Sequence, residues 1–77
     1  METFSTFLDG QRYHVSFHPH IGKFMMVQHH TGLHLMYLQP DNTWRCLNHN
    51  PFSEYLPATS LYERSLEKKQ AGVTQPN

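Results

Sequence analysis

The sequence predicts an α+β fold: a five-stranded antiparallel β-meander in the order 1-2-3-4-5, followed by one C-terminal α-helix. Three observations carry this. Turn residues recur at short intervals between apolar runs over roughly residues 1 to 48, as hairpin-linked strands require. The first two runs alternate apolar and polar side chains, the signature of a half-buried sheet. Near the end, Ser60-Leu61-Tyr62-Glu63 has the spacing of a helix capping box.

Asp9-Gly10 is the strongest turn signal, because a two-residue hairpin turn needs positive φ at both central positions. It sets Leu8 opposite Gln11, Thr6 opposite Tyr13, Phe4 opposite Val15 and Glu2 opposite Phe17, so that Phe4, Leu8, Tyr13, Val15 and Phe17 share one face. Thr3, Ser5, Arg12, His14, Ser16 and His18 share the other, with Phe7 as the apolar exception. Pro19-His20-Ile21-Gly22 reads as the next loop, which pairs Phe17 with Phe24 and Val15 with Met26. His29-His30-Thr31-Gly32 reads as a type I turn closed by a glycine bulge. That places Met26 opposite Met36 and Phe24 opposite Leu38 on the core face, with Val27 opposite Leu35 and Met25 opposite Tyr37 behind. Pro40-Asp41-Asn42 forms the last turn and sets Trp44 against Leu38 and Cys46 against Met36. After Asn48 come a loop, an irregular or helical turn over Phe52 to Leu56 stopped by Pro57, and a helix from Leu61 with a thin stripe of Leu61, Tyr62 and Leu66. Residues 1–70 form a single small domain, and 71–77 a flexible tail.

Composition bounds function. The chain has 77 residues, enough for one domain; six basic residues balance six acidic ones, and only 16% of residues are charged. The six cations are scattered, so no field gathers a phosphate backbone. Arg12, Lys23 and Arg45, with Tyr37 and Phe7 as stacking rings, give nucleic-acid binding its only support. The single Cys46 favours a reducing, cytoplasmic setting over a disulfide-stapled secreted one. The acidic N-terminus Met1-Glu2-Thr3 does not suit a signal peptide, and the apolar run Leu35-Met36-Tyr37-Leu38 is far short of the ~20 residues of a membrane span. No carboxylate pair, glycine-rich loop or nucleophile elbow is present, and Cys46 on the core face reads as an inert thiol. The expectation is a non-enzymatic protein with no cofactor.

The second face of strands 3 to 5 breaks the polar alternation. Met25, Val27, Leu33, Leu35, Tyr37 and Leu47 fall there, and a helix with three apolar residues cannot cover both sides of the sheet. Either the segment from Asn48 to Leu66 folds back with Phe52, Tyr55 and Leu56 over this patch, or a partner covers it. For a short chain of zero formal charge the commonest partner is a second copy. The sequence therefore predicts a small protein-interaction module that self-associates through an apolar sheet face, as a homo-oligomer. Its competitor is a histidine-based transition-metal binder, since the chain holds seven histidines. The candidate ligands are His29, His30 and His34 at the third turn, with His14 and His18 as a second possibility. Neither a helical His pair nor a CxxC accompanies them.

Overall fold

The computed structural model describes residues 1–18 and 20–73. Five strands follow in sequence, β1 (Glu2–Leu8), β2 (Gln11–His18), β3 (Ile21–His29), β4 (Gly32–Leu38) and β5 (Trp44–Cys46), and pair in that same order into one antiparallel sheet. A 3₁₀ turn, η1 (Pro51–Tyr55), and the helix α1 (Ala58–Val73) complete the described residues, so the predicted α+β meander followed by one helix is the fold of this protein.

The first hairpin forms as its turn chemistry demands. Asp9 and Gly10 take φ of 51° and 76°, and the register Leu8–Gln11, Thr6–Tyr13, Phe4–Val15 and Glu2–Phe17 follows from that two-residue turn. The last hairpin also has its predicted register, Leu38–Trp44 and Met36–Cys46. Its turn closes with Asn42 N–H donating to the Gln39 carbonyl at 2.9 Å and Asn42 at φ 68°, a conformation that asparagine tolerates better than most side chains.

The two middle hairpins differ from expectation by one residue each. Phe17 pairs with Met25 and Val15 with Val27, not with Phe24 and Met26. The cause is a register shift after Phe17, where His18 pairs with Ile21 and the residues 22–24 are taken up as a bulge containing Lys23 at φ 94°. The third turn is also tighter than predicted: His29 pairs directly with Gly32, leaving His30 and Thr31 as the loop. A bulged glycine would have set Val27 against Leu35, whereas Val27 faces His34 and Met25 faces Met36. The two shifts cancel at β4, so β3 alone is turned over. Met25 and Val27, expected on the open face, are fully buried in the core, and Phe24 and Met26 take their places behind.

A lysine at positive φ is strained, because its Cβ crowds the backbone where glycine has no such atom. Lys23→Gly is therefore expected to raise stability by about 0.5–1 kcal/mol, read as a higher urea midpoint with an unchanged slope.

The core lies between the first face of the sheet and α1. Tyr13, Val15, Met25, Val27 and Met36 meet Ala58 and Leu61, with Phe4, Leu8, Trp44, Cys46, Leu56 and Tyr62 packed around them. The helix starts at Ala58, three residues before the predicted Leu61, because the Pro57 carbonyl already accepts from Leu61 N–H at 3.0 Å. Ser60 and Glu63 accordingly sit inside the helix and not at its cap. The helix continues through residues 71–73, which the sequence assigned to a tail; the rest of that tail, 74–77, lies outside the described residues. Side chains tether α1 across the sheet. Trp44 Nε1 donates to Thr59 Oγ1 at 3.3 Å over β5, and Arg64 donates to Thr6 Oγ1 at 3.0 Å over β1.

Candidate protein interface

Both described elements after β5, η1 and α1, pack on the first face. Leu56 and Ala58 join the core there, while Phe52 and Tyr55 remain exposed beside Tyr13, also on that face. Among the described residues nothing lies over the second face, and the post-strand segment does not fold back across it.

That face divides in two. Its β1–β2 half is polar apart from the exposed Phe7, and two of its cross-strand pairs bond internally: Thr3 and Ser16 share a hydroxyl hydrogen bond of 2.9 Å, and Ser5 Oγ lies 2.7 Å from His14 Nδ1. Its β3–β5 half is apolar. Phe24 faces Tyr37, Met26 faces Leu35, and Leu33 and Leu47 extend the patch along β4 and past β5. Tyr37 is 40% and Leu47 45% exposed, while Phe24, Met26 and Leu35 are half-buried by their neighbours alone. Of the predicted patch, Leu33, Leu35, Tyr37 and Leu47 are in place, and Met25 and Val27 are replaced by Phe24 and Met26.

The loop that follows the patch is bonded back to its backbone. After Leu47 N–H donates to the Leu35 carbonyl at 2.7 Å, the Asn48 amide takes over the ladder: its Nδ2 donates to the Leu33 carbonyl at 2.8 Å, and its Oδ1 accepts from Leu35 N–H at 3.1 Å. Asn50 Nδ2 adds a bond of 3.2 Å to the Thr31 carbonyl. Two side-chain amides thus satisfy backbone groups that another pair of strand residues would have satisfied. Arg12 and Arg45 stand at opposite ends of this face, Arg12 paired with Phe7 and Arg45 with Tyr37.

The histidines expected to form a metal site do gather at the third turn, but both nitrogens of His29 and Nε2 of His34 are taken up in hydrogen bonds. His29 stacks on Tyr13 at 4.3 Å and 8°, and His30 tilts against His29 at 4.1 Å. Gln11 Oε1 accepts from His29 Nε2 at 2.6 Å, so His29 Nδ1 accepts from the Thr31 hydroxyl at 2.9 Å. Thr31 Oγ1 in turn accepts from His34 Nε2 at 2.8 Å. This relay fixes both tautomers. It leaves His34 Nδ1 as a bare acceptor, buried and without a partner among the described residues. His14 and His18 likewise point apart in their bonding, to Ser5 and to the His20 amide. Among the described residues no group of three or more His, Cys, Asp or Glu side chains is placed to hold a metal ion.

Burial lowers the pKa of both His29 and His34, and for His29 the neighbouring His30 and His34 lower it further. Both groups therefore bind protons less readily folded than unfolded. Their stabilising contribution is complete above the ordinary imidazole value of about 6.5 and is lost as pH falls below it toward their lowered folded values. Urea midpoints are expected to be level from neutral pH upward and to fall on the acid side, and His34→Leu to flatten that fall.

Cys46 is a free thiol, half-buried, with Sγ 2.9 Å from Asn48 Oδ1, so it serves the same loop. Among the described residues no helix is long and apolar enough to cross a membrane.

These features define a small sheet-and-helix protein with one face of its sheet open. No protein-family model matches the chain, and neither the curated proteins nor the solved structures contain a significant match to it.

Proposed function

We propose that this chain is a non-enzymatic interaction module that self-associates, packing the open face of its sheet against the same face of a second copy in a reducing, cytoplasmic compartment. The observation that supports this is the uncovered Phe24, Met26, Leu35 and Tyr37 cluster on a chain whose every later element went to the other side.

Area and charge favour a second copy. Strands ~4.8 Å apart and rising ~3.3 Å per residue give the full face roughly 24 Å by 20 Å, or about 500 Å² in projection and more in accessible area. That approaches the ~800 Å² per partner of a stable interface, whereas the apolar half alone falls well short. The whole face must then be used, with like halves matched. A two-fold axis running across the strands does this: it lays β4 on β4 and β3 on β3 of the partner, apolar half on apolar half and hydroxyl half on hydroxyl half. It also spreads the four arginines on the two faces, Arg12 and Arg45 of each copy, to separate corners. With a formal net charge of zero per chain, no long-range repulsion opposes the encounter.

Sedimentation at micromolar concentration tests the proposal. A mass of twice 9.1 kDa is expected, falling to the monomer on dilution; a monomer at every concentration would overturn it. The competing transition-metal function is separated by adding zinc or copper during thermal unfolding. A site specific to the folded state raises the Tm at saturating metal, and a self-association module without such a site shows no rise.

A further inference from the structure

The first face is not filled at the turn end of the sheet. There the Asp9-Gly10 turn, the Tyr13–His29 stack and the two rings of η1 enclose a groove of about 340 Å³. It lies on the opposite side of the sheet from the proposed dimer contact and does not depend on it.

Its walls are unusual for a surface left to water. Phe52 is 53% and Tyr55 77% exposed, side by side on a 3₁₀ turn whose backbone is pinned by Asn50 accepting from Phe52 N–H at 2.9 Å. The rings are thus presented by a braced element. The lining contains one carboxylate, Asp9, and no lysine or arginine. Asp9 makes no hydrogen bond among the described residues, and its negative charge reaches the Tyr13 phenol, whose pKa is raised by burial first and then by Asp9. Gln11 Oε1, also in the lining, is already taken by His29 and, at 3.5 Å, by the Tyr13 hydroxyl.

We propose that this groove binds a quaternary, trimethylammonium-type cation, with the rings of Phe52 and Tyr55 and the carboxylate of Asp9 as its recognition groups. Ring π-systems attract a cation through their quadrupole, and a carboxylate beside them adds a direct charge. A primary ammonium must find acceptors for all three of its N–H groups. A methylated cation needs none, and rings suit its apolar surface. The volume is at the small end of the ~300–1,000 Å³ common for ligand pockets, so it suits a headgroup or a single side chain better than a larger molecule.

Titrating the full chain with choline, and separately with a peptide carrying trimethyllysine, tests this by the NMR shifts of the ring and amide protons. Saturable shifts confined to Tyr13, His29, His30, Phe52 and Tyr55 are expected, and the tighter of the two ligands assigns the source of the cation. Tyr55→Ala and Asp9→Asn should each weaken binding about fivefold or more. Both variants should stay folded, since Tyr55 is largely exposed and asparagine accepts the positive φ of residue 9. Equal affinity for the neutral isostere of choline, with carbon in place of nitrogen, would overturn the proposal. So would shifts that never saturate at millimolar ligand, or that both variants leave unchanged.

Discussion

Lysine at position 25 should unfold the protein, while lysine at position 26 should leave it folded and separate the dimer. Met25 is completely buried between Phe17 and Met36 beneath the helix, so an ammonium there has neither water nor a counter-charge. Burying an unpaired charge costs several kcal/mol, comparable with the ~5 kcal/mol that holds a domain of this size together. Met26 is half-buried on the open face opposite Leu35, where a lysine stem can lie along its neighbours with the charge in water. The monomer should lose less than about 1 kcal/mol by that exchange. In the dimer, two such charges would enter one apolar contact, and dissociation should rise by a factor of about 100 or more. Circular dichroism and sedimentation read the two effects separately. A Met26→Lys protein that is folded and still dimeric would show that association uses another surface; a folded Met25→Lys protein would mean that the register of β3 is wrong.

The pair also shows where the sequence was legible and where it was not. Hairpins whose turns are dictated by one residue type, Asp9-Gly10 and Pro40-Asp41-Asn42, have the register their chemistry specifies. The turns around β3 are not dictated in this way. Gly22 and Lys23 fit a loop or a bulge equally well, and His30-Thr31-Gly32 fits two hairpin lengths. Each slip of one residue inverts a strand, and two slips around β3 invert it alone. The open face was foreseeable nonetheless, because Phe24-Met25-Met26-Val27 is apolar at four successive positions and gives two apolar residues to each face in either register.

What the sequence did not reveal is the destination of the segment after β5. Phe52, Tyr55 and Leu56 have the composition of a cover for the second face, yet they went to the first. The reason is long-range: Asn48 and Asn50 bind the β4 backbone and turn the chain back over the side where Trp44 stands. No local pattern encodes an asparagine that substitutes for a strand.

Leu61→Ala should cost 2–5 kcal/mol and release the helix from the sheet. Among the described residues, Leu61 is the one large α1 side chain that is fully buried: Ala58 is small, Ser65 spends its hydroxyl on the Tyr62 carbonyl at 2.6 Å, and Tyr62 is only partly buried, packing at the core's margin with its ring 5.3 Å from that of Trp44. The remaining ties, from Arg64 to Thr6 and from Lys68 to the Phe4 ring at 5.7 Å, are peripheral and cannot hold a helix whose central anchor has gone. Undocking would bare Met25, Val27 and Met36 as well, so the loss should be cooperative, seen as a single early unfolding transition in which helical and near-ultraviolet signals fall together. Leu61→Met, close in volume, should cost less than about 1.5 kcal/mol, and Ser65→Ala should be near neutral because the Tyr62 carbonyl can still bond within the helix. If Leu61→Ala instead melted the helical signal while the aromatic signal persisted, the sheet would be stable without its cover. Both faces of the sheet would then be open, and association could no longer be assigned to the second face on exposure alone.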